Sequence, residues 1–449
     1  MMNYQEEYKQ KLVTADEAVS IVKSGDFVHY GEFVMNSRYL DEALSKRVPE
    51  LENIVIRTVT CPFPPKAVLA DPERKRVIYE DWHFSGASRK LHDQNLCNYV
   101  PLVYHEGPTF YERGYIQPDV HMLMVAPMDK HGYFNLGTSN SISYAVAKAS
   151  KKVIVEVNSS VPRCLDGMHG NLHISDIDYI VEGPNSPMIQ VPPAPISEVD
   201  KKVAEIIMQE IHDGSCLQLG IGGMPNAIGA MIAQSDLKDL GVHTEMLVDS
   251  FVDMYEAGRI TCRRKQIDKG KMVYTFAMGT QKLYDFLDEN PMAISYPVSY
   301  TNNPYVIAQN DNMVCINNAV QVDLFGQVAS EASGPRHISG TGGQLDFIFG
   351  SYKSKGGKGF ICLSSTIKDD NGNLVSRIVP TLEPGTIVTV PRTINYYVVT
   401  EYGIAMMKGK STWERAEALI NIAHPDFRDE LIKEADKMKI WVKTNKIRP

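Results

Sequence analysis

The chain has 449 residues, more than the roughly 250–300 at which a single hydrophobic core stops growing, so two domains are expected. Hydrophobic residues make up 43% and charged residues 22% of it, which is typical of an ordered globular protein and excludes a disordered one. The formal net charge of −8 gives no support for a nucleic-acid or anionic-membrane partner. An anionic ligand would therefore need a local positive site.

The N-terminal residues carry acidic side chains before any apolar run, so the sequence predicts no signal peptide. No uninterrupted apolar stretch reaches the roughly 18 residues needed to span a membrane. We therefore expect a cytoplasmic protein with no membrane partner. The seven cysteines are widely spaced and form no C-x-x-C pair, which predicts neither a disulfide framework nor a metal site.

The first predicted element is a short helix that leads into a strand. Thr14 and Glu17 have the spacing of a capping box ahead of an apolar helix face, and Gly25 precedes the strand-like run FVHYGEF. The same plan recurs later, where Ser197 and Asp200 precede an apolar helix face and a glycine separates it from CLQLGIGG. This repeat indicates two related units.

A second echo supports the repeat. Asp129 and Gly132 lie in VAPMDKHGYFNLG, and Asp323 and Gly326 lie in AVQVDLFGQVAS. The two pairs are offset by the same number of positions, which favours tandem related domains.

A proline-rich stretch divides the chain. Five prolines lie between Pro184 and Pro195, and because proline fixes φ and lacks a backbone donor, this stretch is predicted to be an extended connector. We place the boundary here, which gives an N-terminal domain at 1–190 and a C-terminal domain at 191–449.

Both halves alternate helical patterns with short apolar runs such as KKVIVEV, DYIVE, GKGFICLSS and TIVTV. That alternation is typical of an α/β fold with mostly parallel sheets. The end of the chain differs, because Ser411 and Glu414 form another capping box and Pro425 opens a further amphipathic pattern. Two C-terminal helices are therefore predicted.

The strongest local motif is LGIGGMPNAIGAMIAQ, in which an apolar strand runs through Gly220, Gly222 and Gly223 into a helix. Glycines at this point let backbone N–H groups approach a ligand, and a helix N-terminus favours negative charge. A dinucleotide fingerprint is disfavoured, because Pro225 stands where G-x-G-x-x-G needs a small residue. A plain strand-to-helix turn remains open on spacing alone.

A second glycine-rich run, GPRHISGTGGQLDFIFGS, occupies residues 334–351. Five glycines cost chain entropy unless the backbone must approach something closely. A flexible surface loop is the alternative, but the apolar LDFIF predicts that the loop is anchored to a core strand.

An acidic residue, Glu245, lies in the apolar segment VHTEMLVDSFVDM. A carboxylate among apolar residues is unusual, because an unpaired buried charge is costly. Composition does not separate it from Asp249 or Asp253. His243 could act as a base, but a lone histidine beside a core strand is more often structural.

These motifs together resemble the acetyl-CoA hydrolase/transferase family of class I CoA-transferases, over nearly the whole chain. The resemblance is carried by GIGGMPNAIG at 220–229, HTEMLVDSF at 243–251, SGPRHISGTGGQLDF at 333–347 and PRTINYYVVTEYG at 391–403. It implies two tandem, similar, open α/β domains with mostly parallel sheets, followed by C-terminal helices. The catalytic glutamate would lie in the C-terminal domain.

The resemblance also implies the site residues. Glu245 occupies the position of the family's catalytic glutamate. The strand-to-helix glycine loop is implied to form the oxyanion hole and, with the later glycine loop, to contact CoA. The stretch Asn318 to Val320 is implied as a further contact. The implied CoA and oxyanion contacts are Gly220, Ile221, Gly222, Gly223, Met224, Val320, Gly342 and Gly343.

The implied reaction moves CoA from a short-chain acyl-CoA, butyryl-CoA or 4-hydroxybutyryl-CoA, to a carboxylate such as acetate through a glutamyl-CoA thioester. Coenzyme A is a substrate, and neither a cofactor nor a metal is expected. An acyl-CoA hydrolase on the same fold remains the alternative, whereas the glutamate disfavours a non-catalytic CoA sensor. We expect a homo-oligomer. The sequence leaves the preferred acyl group, the number of subunits and the physiological direction open.

Overall fold

The computed structural model describes residues 4–440. The chain packs into two compact units. The first unit contains Met1–Pro192, Glu245–Asp249 and Lys271–Thr301, and the second contains Pro193–Thr244, Ser250–Gly270 and Asn302–Pro449.

The first unit is built on a seven-stranded sheet in which every neighbouring pair is parallel. Its strands, in spatial order, are Asn98–Tyr99, Val77–Asp81, Ile54–Val59, Phe27–Glu32, Val120–Val125, Lys152–Val157 and Tyr179–Glu182. Strands covered on both faces are mostly apolar, and the Val120–Val125 strand is buried at all six residues, of which His121 is the polar one. Three two-stranded pairs accompany this sheet: Tyr133–Asn135 with Asn171–His173, Met246–Leu247 with Phe276–Ala277, and Met272–Tyr274 with Ala293–Ser295.

The second unit is built on a six-stranded sheet that is parallel except at its last pair. Its strands, in spatial order, are Gly241–Val242, Cys216–Leu219, Met313–Asn318, Lys358–Cys362, Tyr397–Thr400 and Gly403–Met406. The smaller sheets of this unit are Val328–Ala329 with Gln321–Asp323 and Ile378–Val379, Ala332–Ser333 with Arg336–His337, and Thr366–Lys368 with Leu374–Ser376.

Helices accompany the sheets of both units. Those of the first unit are Tyr4–Lys11, Ala15–Val19, Arg38–Arg47, Lys66–Leu69, Gly86–Asp93, Gly107–Glu112, Ser143–Ala149, Gln281–Leu287 and Val298–Thr301. Those of the second are Glu198–Met208, Gly223–Gln234, Pro304–Ile307, Gln344–Lys353, Thr412–Asn421 and Pro425–Lys437, and the helix Asp249–Glu256 lies in it from its second residue. The predicted α/β class with mostly parallel sheets is confirmed.

The predicted capping boxes are present. The side chains of Thr14, Ser197 and Ser411 each accept a hydrogen bond from the backbone N–H three residues on, and the acidic side chain there returns the bond. The stretch from residue 183 to 196, predicted as a connector, contains neither helix nor strand.

The repeated Asp and Gly spacing predicted in the two halves forms the same local structure in both. Asp129 and Asp323 each accept from the backbone N–H two and four residues on. Gly132 and Gly326 each donate their N–H to the aspartate carbonyl, at 3.1 and 2.9 Å, with φ of +84° and +86°. The two turns are therefore equivalent.

Two local predictions are wrong. The segment LDFIF, predicted to anchor the glycine-rich loop to a core strand, is helical. It belongs to the helix Gln344–Lys353, which buries Phe347 and Ile348. The segment TIVTV, predicted as a strand, is irregular. Its last residue, Val390, forms a single β-bridge with Val328. A short apolar run fits a buried helix face or an irregular segment as well as a strand, so periodicity does not decide between them.

The packing units divide the chain differently from the predicted domains 1–190 and 191–449. The first break lies after Pro192, but Glu245–Asp249 and Lys271–Thr301 pack in the first unit. Glu245, expected in the C-terminal domain, is therefore in the unit built mainly from the N-terminal half. Long-range packing is the reason, because the Phe276 ring stacks on Phe33 with centroids 3.7 Å apart.

All seven cysteines are buried and free. Within residues 4–440, no group of three or more His, Cys, Asp and Glu side chains has the geometry to hold a metal ion. Over the same residues, no helix combines the length and the apolar character that crossing a membrane requires.

Two adjacent histidines are buried in the seven-stranded sheet. His29 and His121 are fully buried, with ring centroids 5.5 Å apart. Burial lowers the pKa of His121 to about 4, and burial together with the neighbouring His121 lowers that of His29 well below its ordinary value. Both rings are therefore neutral in the folded protein near neutral pH.

We predict that His121 makes the fold less stable in acid. Between pH 7 and pH 5 the unfolded chain binds a proton at this residue and the folded chain does not, so stability falls as the pH falls. The loss amounts to about 2 kcal/mol from this group. Glu32 and Asp81, whose pKa values are raised to about 7 and about 6, act in the opposite sense.

The test therefore compares urea unfolding of the wild type with His121→Asn at pH 7 and pH 5. The asparagine amide keeps a donor for the carbonyl of His29, which now accepts from the imidazole at 3.1 Å. The variant should lose less stability than the wild type on acidification. An equal loss in both proteins would contradict the assignment.

Candidate active site

Glu245 immediately precedes a short strand of the first unit. Its carbonyl oxygen accepts hydrogen bonds from the backbone N–H groups of Thr275, at 3.0 Å, and Phe276, at 3.2 Å. Met246 and Leu247, which follow it, are buried, whereas Glu245 itself is half-buried. The backbone of this candidate nucleophile is thus fixed while its side chain is partly exposed.

The rival residues of this segment have other environments. The Asp249 carboxylate accepts from the backbone N–H of Thr280, at 3.0 Å, and from its hydroxyl, at 2.5 Å, where the helix Gln281–Leu287 begins. Asp253 is exposed, and His243 is fully buried, with its ring 6.4 Å from that of Phe347. Asp249 therefore has a clear structural role.

A polar loop at residues 138–143 lies against the segment that holds Glu245. The backbone N–H groups of Asn140 and Ser141 both donate to the carbonyl of Thr275, at 3.1 and 3.2 Å. Thr275 in turn donates its N–H to Glu245. Sequence reasoning did not identify this loop, whose run TSNSIS carries no ionisable side chain that would have marked it.

A second carboxyl group anchors the same loop. Glu32 ends a central strand and is fully buried, and its Oε1 accepts from the Ser143 hydroxyl, at 2.5 Å, and the backbone N–H of Ile142, at 3.1 Å. Burial raises the pKa of Glu32 to about 7, although its hydrogen bonds favour the ionised form. Sequence reasoning also missed this residue, because a single glutamate at a strand end is an ordinary feature.

A cavity of about 460 Å³ opens near the carboxyl ends of the central strands of this sheet. Val34 and Asn36 line it just after the Phe27–Glu32 strand, and Met124 and Glu156 line it near the ends of two others. Open α/β sheets bind ligands at this edge, where the strand order changes direction. The first unit therefore offers a space of ligand size there.

The strand-to-helix glycine loop lies in the second unit. Gly222 precedes the helix Gly223–Gln234 with φ of +123°, an angle that L side chains rarely adopt. A Cβ on Gly223 would lie 2.6 Å from both the Pro195 carbonyl oxygen and an Asp200 carboxylate oxygen. Both glycines are therefore required by the backbone itself.

Amide side chains join this loop to the other predicted contacts. Asn318 donates from Nδ2 to the carbonyl of Ile221 at 2.9 Å, and Gln344 donates from Nε2 to the carbonyl of Asn318 at 2.9 Å. Gln344 follows Gly343 directly and begins the helix Gln344–Lys353. The second unit thus brings together three stretches predicted to contact CoA.

Individual residues in these stretches differ in exposure. Ile221 is 57% exposed, whereas Met224 is buried. Val320 is half-buried, and its N–H donates to Ala329 at 2.8 Å. The predicted residues of the second unit are Gly220, Ile221, Gly222, Gly223, Met224, Val320, Gly342 and Gly343, and the predicted residue of the first unit is Glu245.

Comparisons with known proteins agree with the fold. The family model for the acetyl-CoA hydrolase/transferase N-terminal domain matches residues 1–192, and that for the C-terminal domain matches residues 279–435. The chain belongs to the acetyl-CoA hydrolase/transferase family.

Two curated relatives are each 53% identical to this chain. One is named butyryl-CoA:acetate CoA-transferase, from Anaerostipes caccae, and the alignment covers 99% of this chain and 100% of that one. The other is named "Probable butyrate:acetyl-CoA coenzyme A-transferase", from Syntrophomonas wolfei, and the alignment covers 98% of each. The crystal structure of RipA from Yersinia pestis is similar with a TM-score of 0.88, at 37% identity, over 98% of this chain and 100% of that one.

We predict that Gly223→Ala lowers the free energy of unfolding by about 1–3 kcal/mol, because the added methyl group would lie 2.6 Å from the Pro195 carbonyl oxygen and from an Asp200 carboxylate oxygen. Gly220→Ala is the matched control, since its nearest neighbour, the Ile316 carbonyl oxygen, would be 3.3 Å away. Urea unfolding of the two variants measures the difference. Equal stability losses in the two variants would show that the close contacts at Gly223 do not make its substitution more destabilising than that of Gly220.

Proposed function

We propose that this chain is a CoA-transferase that moves CoA from butyryl-CoA to acetate, with Glu245 as the covalent carrier. The observation that carries the proposal is the 53% identity, over 446 residues, to a protein named butyryl-CoA:acetate CoA-transferase. The second relative is also named for butyrate and acetyl-CoA, which favours butyryl over the 4-hydroxybutyryl group.

The chemistry suits a carboxylate nucleophile. The ionised Glu245 side chain attacks the thioester carbonyl carbon without first losing a proton, and CoA leaves as the thiolate. The thiolate then attacks the resulting acyl-glutamyl anhydride at the side-chain carboxyl carbon of Glu245, Cδ. This attack releases butyrate and leaves a glutamyl-CoA thioester. Acetate then attacks the glutamyl-CoA thioester, and the same steps run in reverse. They release acetyl-CoA and regenerate the Glu245 carboxylate. The cycle conserves one thioester and calls on neither a metal nor an organic cofactor.

Each tetrahedral intermediate carries an oxyanion, for which the proposal assigns the backbone N–H groups around Gly222 and Gly223. Removing one such donor typically costs about 2.7–4 kcal/mol of transition-state stabilisation. The two glycine loops each precede a helix, Gly223–Gln234 and Gln344–Lys353. Helix N-termini favour the phosphate groups that CoA carries, which supports Gly220 to Met224, Gly342 and Gly343 as CoA contacts. Val320 stays a contact implied by the family resemblance.

A cytoplasmic location and a homo-oligomeric state stay predictions from the sequence.

We predict that Glu245→Ala and Glu245→Gln abolish transfer, because no anhydride can form at residue 245. Glu245→Asp should retain about a hundredth of the activity, since shortening the side chain displaces the nucleophile by about 1 Å. Asp253→Asn, which removes an exposed carboxylate of the same segment, is the control and should transfer CoA normally.

Peptide mass spectrometry after incubation with butyryl-CoA alone provides the direct measurement. The CoA adduct should appear on the peptide that contains Glu245 and be absent from Glu245→Gln. An adduct on Asp249, or transfer that persists in Glu245→Gln, would refute this part of the proposal.

A hydrolase of the same family is the second candidate, because the family description includes hydrolases. We predict that free CoA accumulates slowly from butyryl-CoA alone, and that adding acetate yields acetyl-CoA in equal amount to the butyryl-CoA consumed. Thiol titration and chromatography of the acyl-CoA pool measure both products. Rapid CoA release without acetate would favour the hydrolase instead.

A further inference from the structure

Tyr104 lies in the buried surroundings of Glu245. It is 6% exposed, and its hydroxyl oxygen is 2.7 Å from the Ser141 hydroxyl oxygen. Its ring belongs to the apolar cluster that also contains Met246 and Phe276. The phenol is therefore held beside the short strands that fix the backbone of Glu245.

The hydrogen-bond partner of Tyr104 is itself fixed. Ser141 has φ of +33°, in the left-handed region, and such an angle costs a non-glycine residue about 1–3 kcal/mol unless its surroundings enforce it. Here the backbone bonds to Thr275 hold one side of the loop. The Glu32 carboxylate, bonded to Ser143, holds the other. The Ser141 hydroxyl is thus presented in one position.

Charge also links the phenol to the two carboxyl groups. Burial, followed by the charges of Glu32 and Glu245, raises the pKa of Tyr104 well above its ordinary value. The phenol therefore keeps its proton at any physiological pH. The hydrogen bond between Tyr104 and Ser141 therefore persists over that pH range.

From this geometry we propose that Tyr104 is a positioning residue: its hydrogen bond with Ser141 holds the polar loop that bonds Thr275, and through Thr275 it keeps Glu245 oriented for attack. The inference rests on the proposed role of Glu245 as the covalent carrier. Because a displacement of the nucleophile by about 1 Å can cost about a hundredfold in rate, loss of this support should slow transfer by about 10–100-fold. The proposal assigns no CoA contact to the phenol, so KM should change little.

The test compares Tyr104→Phe with Tyr111→Phe. Both substitutions remove only a phenolic hydroxyl from the same buried cluster. Tyr111 is 2% exposed, and its ring contacts are to Trp82 and His29. In steady-state assays with butyryl-CoA and acetate, Tyr104→Phe should lower kcat about 10–100-fold with KM changed by less than about twofold. Tyr111→Phe should stay within about twofold of the wild type.

A double-mutant cycle tests the link through Ser141. Ser141→Ala should also lower kcat, and Tyr104→Phe combined with Ser141→Ala should be little worse than Tyr104→Phe alone, because the two hydroxyls act as one unit. Ser141→Ala also serves as the independent variant should Tyr104→Phe fold poorly, as judged by its thermal midpoint. Additive losses would contradict the link.

The outcomes separate this inference from the proposed function. If the wild type forms no CoA adduct on Glu245 and transfers no CoA, the proposed carrier and the role of Tyr104 both fall. If the wild type is active and Tyr104→Phe matches Tyr111→Phe, only the positioning role is overturned. A loss confined to KM would likewise overturn it, since it would place Tyr104 in substrate binding.

Discussion

The site in the first unit depends on one backbone arrangement, the parallel pairing of Met246–Leu247 with Phe276–Ala277. This pairing brings a segment from the second half of the sequence into the unit built mainly from the first half. The Glu245 carbonyl accepts from both Thr275 and Phe276, so its main chain has little freedom. A nucleophile that forms two successive covalent bonds benefits from a fixed backbone, because a displacement of about 1 Å can cost about a hundredfold in rate.

The second unit relies on backbone constraints of another kind. Gly222 has a φ that side chains rarely adopt, and Gly223 sits too close to the Pro195 carbonyl for a Cβ. These contacts explain the glycines without any ligand, so the plain-turn interpretation and the binding interpretation are compatible. The Asn318 amide, which bonds the carbonyl of Ile221, holds the loop in shape independently of what binds there.

The sequence predicted what local physics determines. The capping boxes at Thr14 and Ser197 and the buried parallel strands follow from side-chain chemistry and periodicity within a few residues. The prediction for LDFIF failed because its four apolar residues suit a buried helix face equally well. Motif resemblance selected Glu245, but its packing beside Thr275, and the contribution of Glu32 and Tyr104, arise from pairings between distant segments. The local sequence around these residues has no pattern that would predict such contacts.

The hydrogen bonds of Glu32 hold the polar loop in both protonation states of its carboxyl group. Its Oε1 accepts from Ser143 and Ile142, and a protonated carboxyl group retains an oxygen that accepts these bonds. The polar loop is therefore held whether or not Glu32 is ionised. Its charge does change, because burial raises its pKa to about 7. The loop in turn bonds Thr275, which donates to the carbonyl of Glu245, so the main chain of the candidate nucleophile stays fixed over the pH range in which Glu32 titrates.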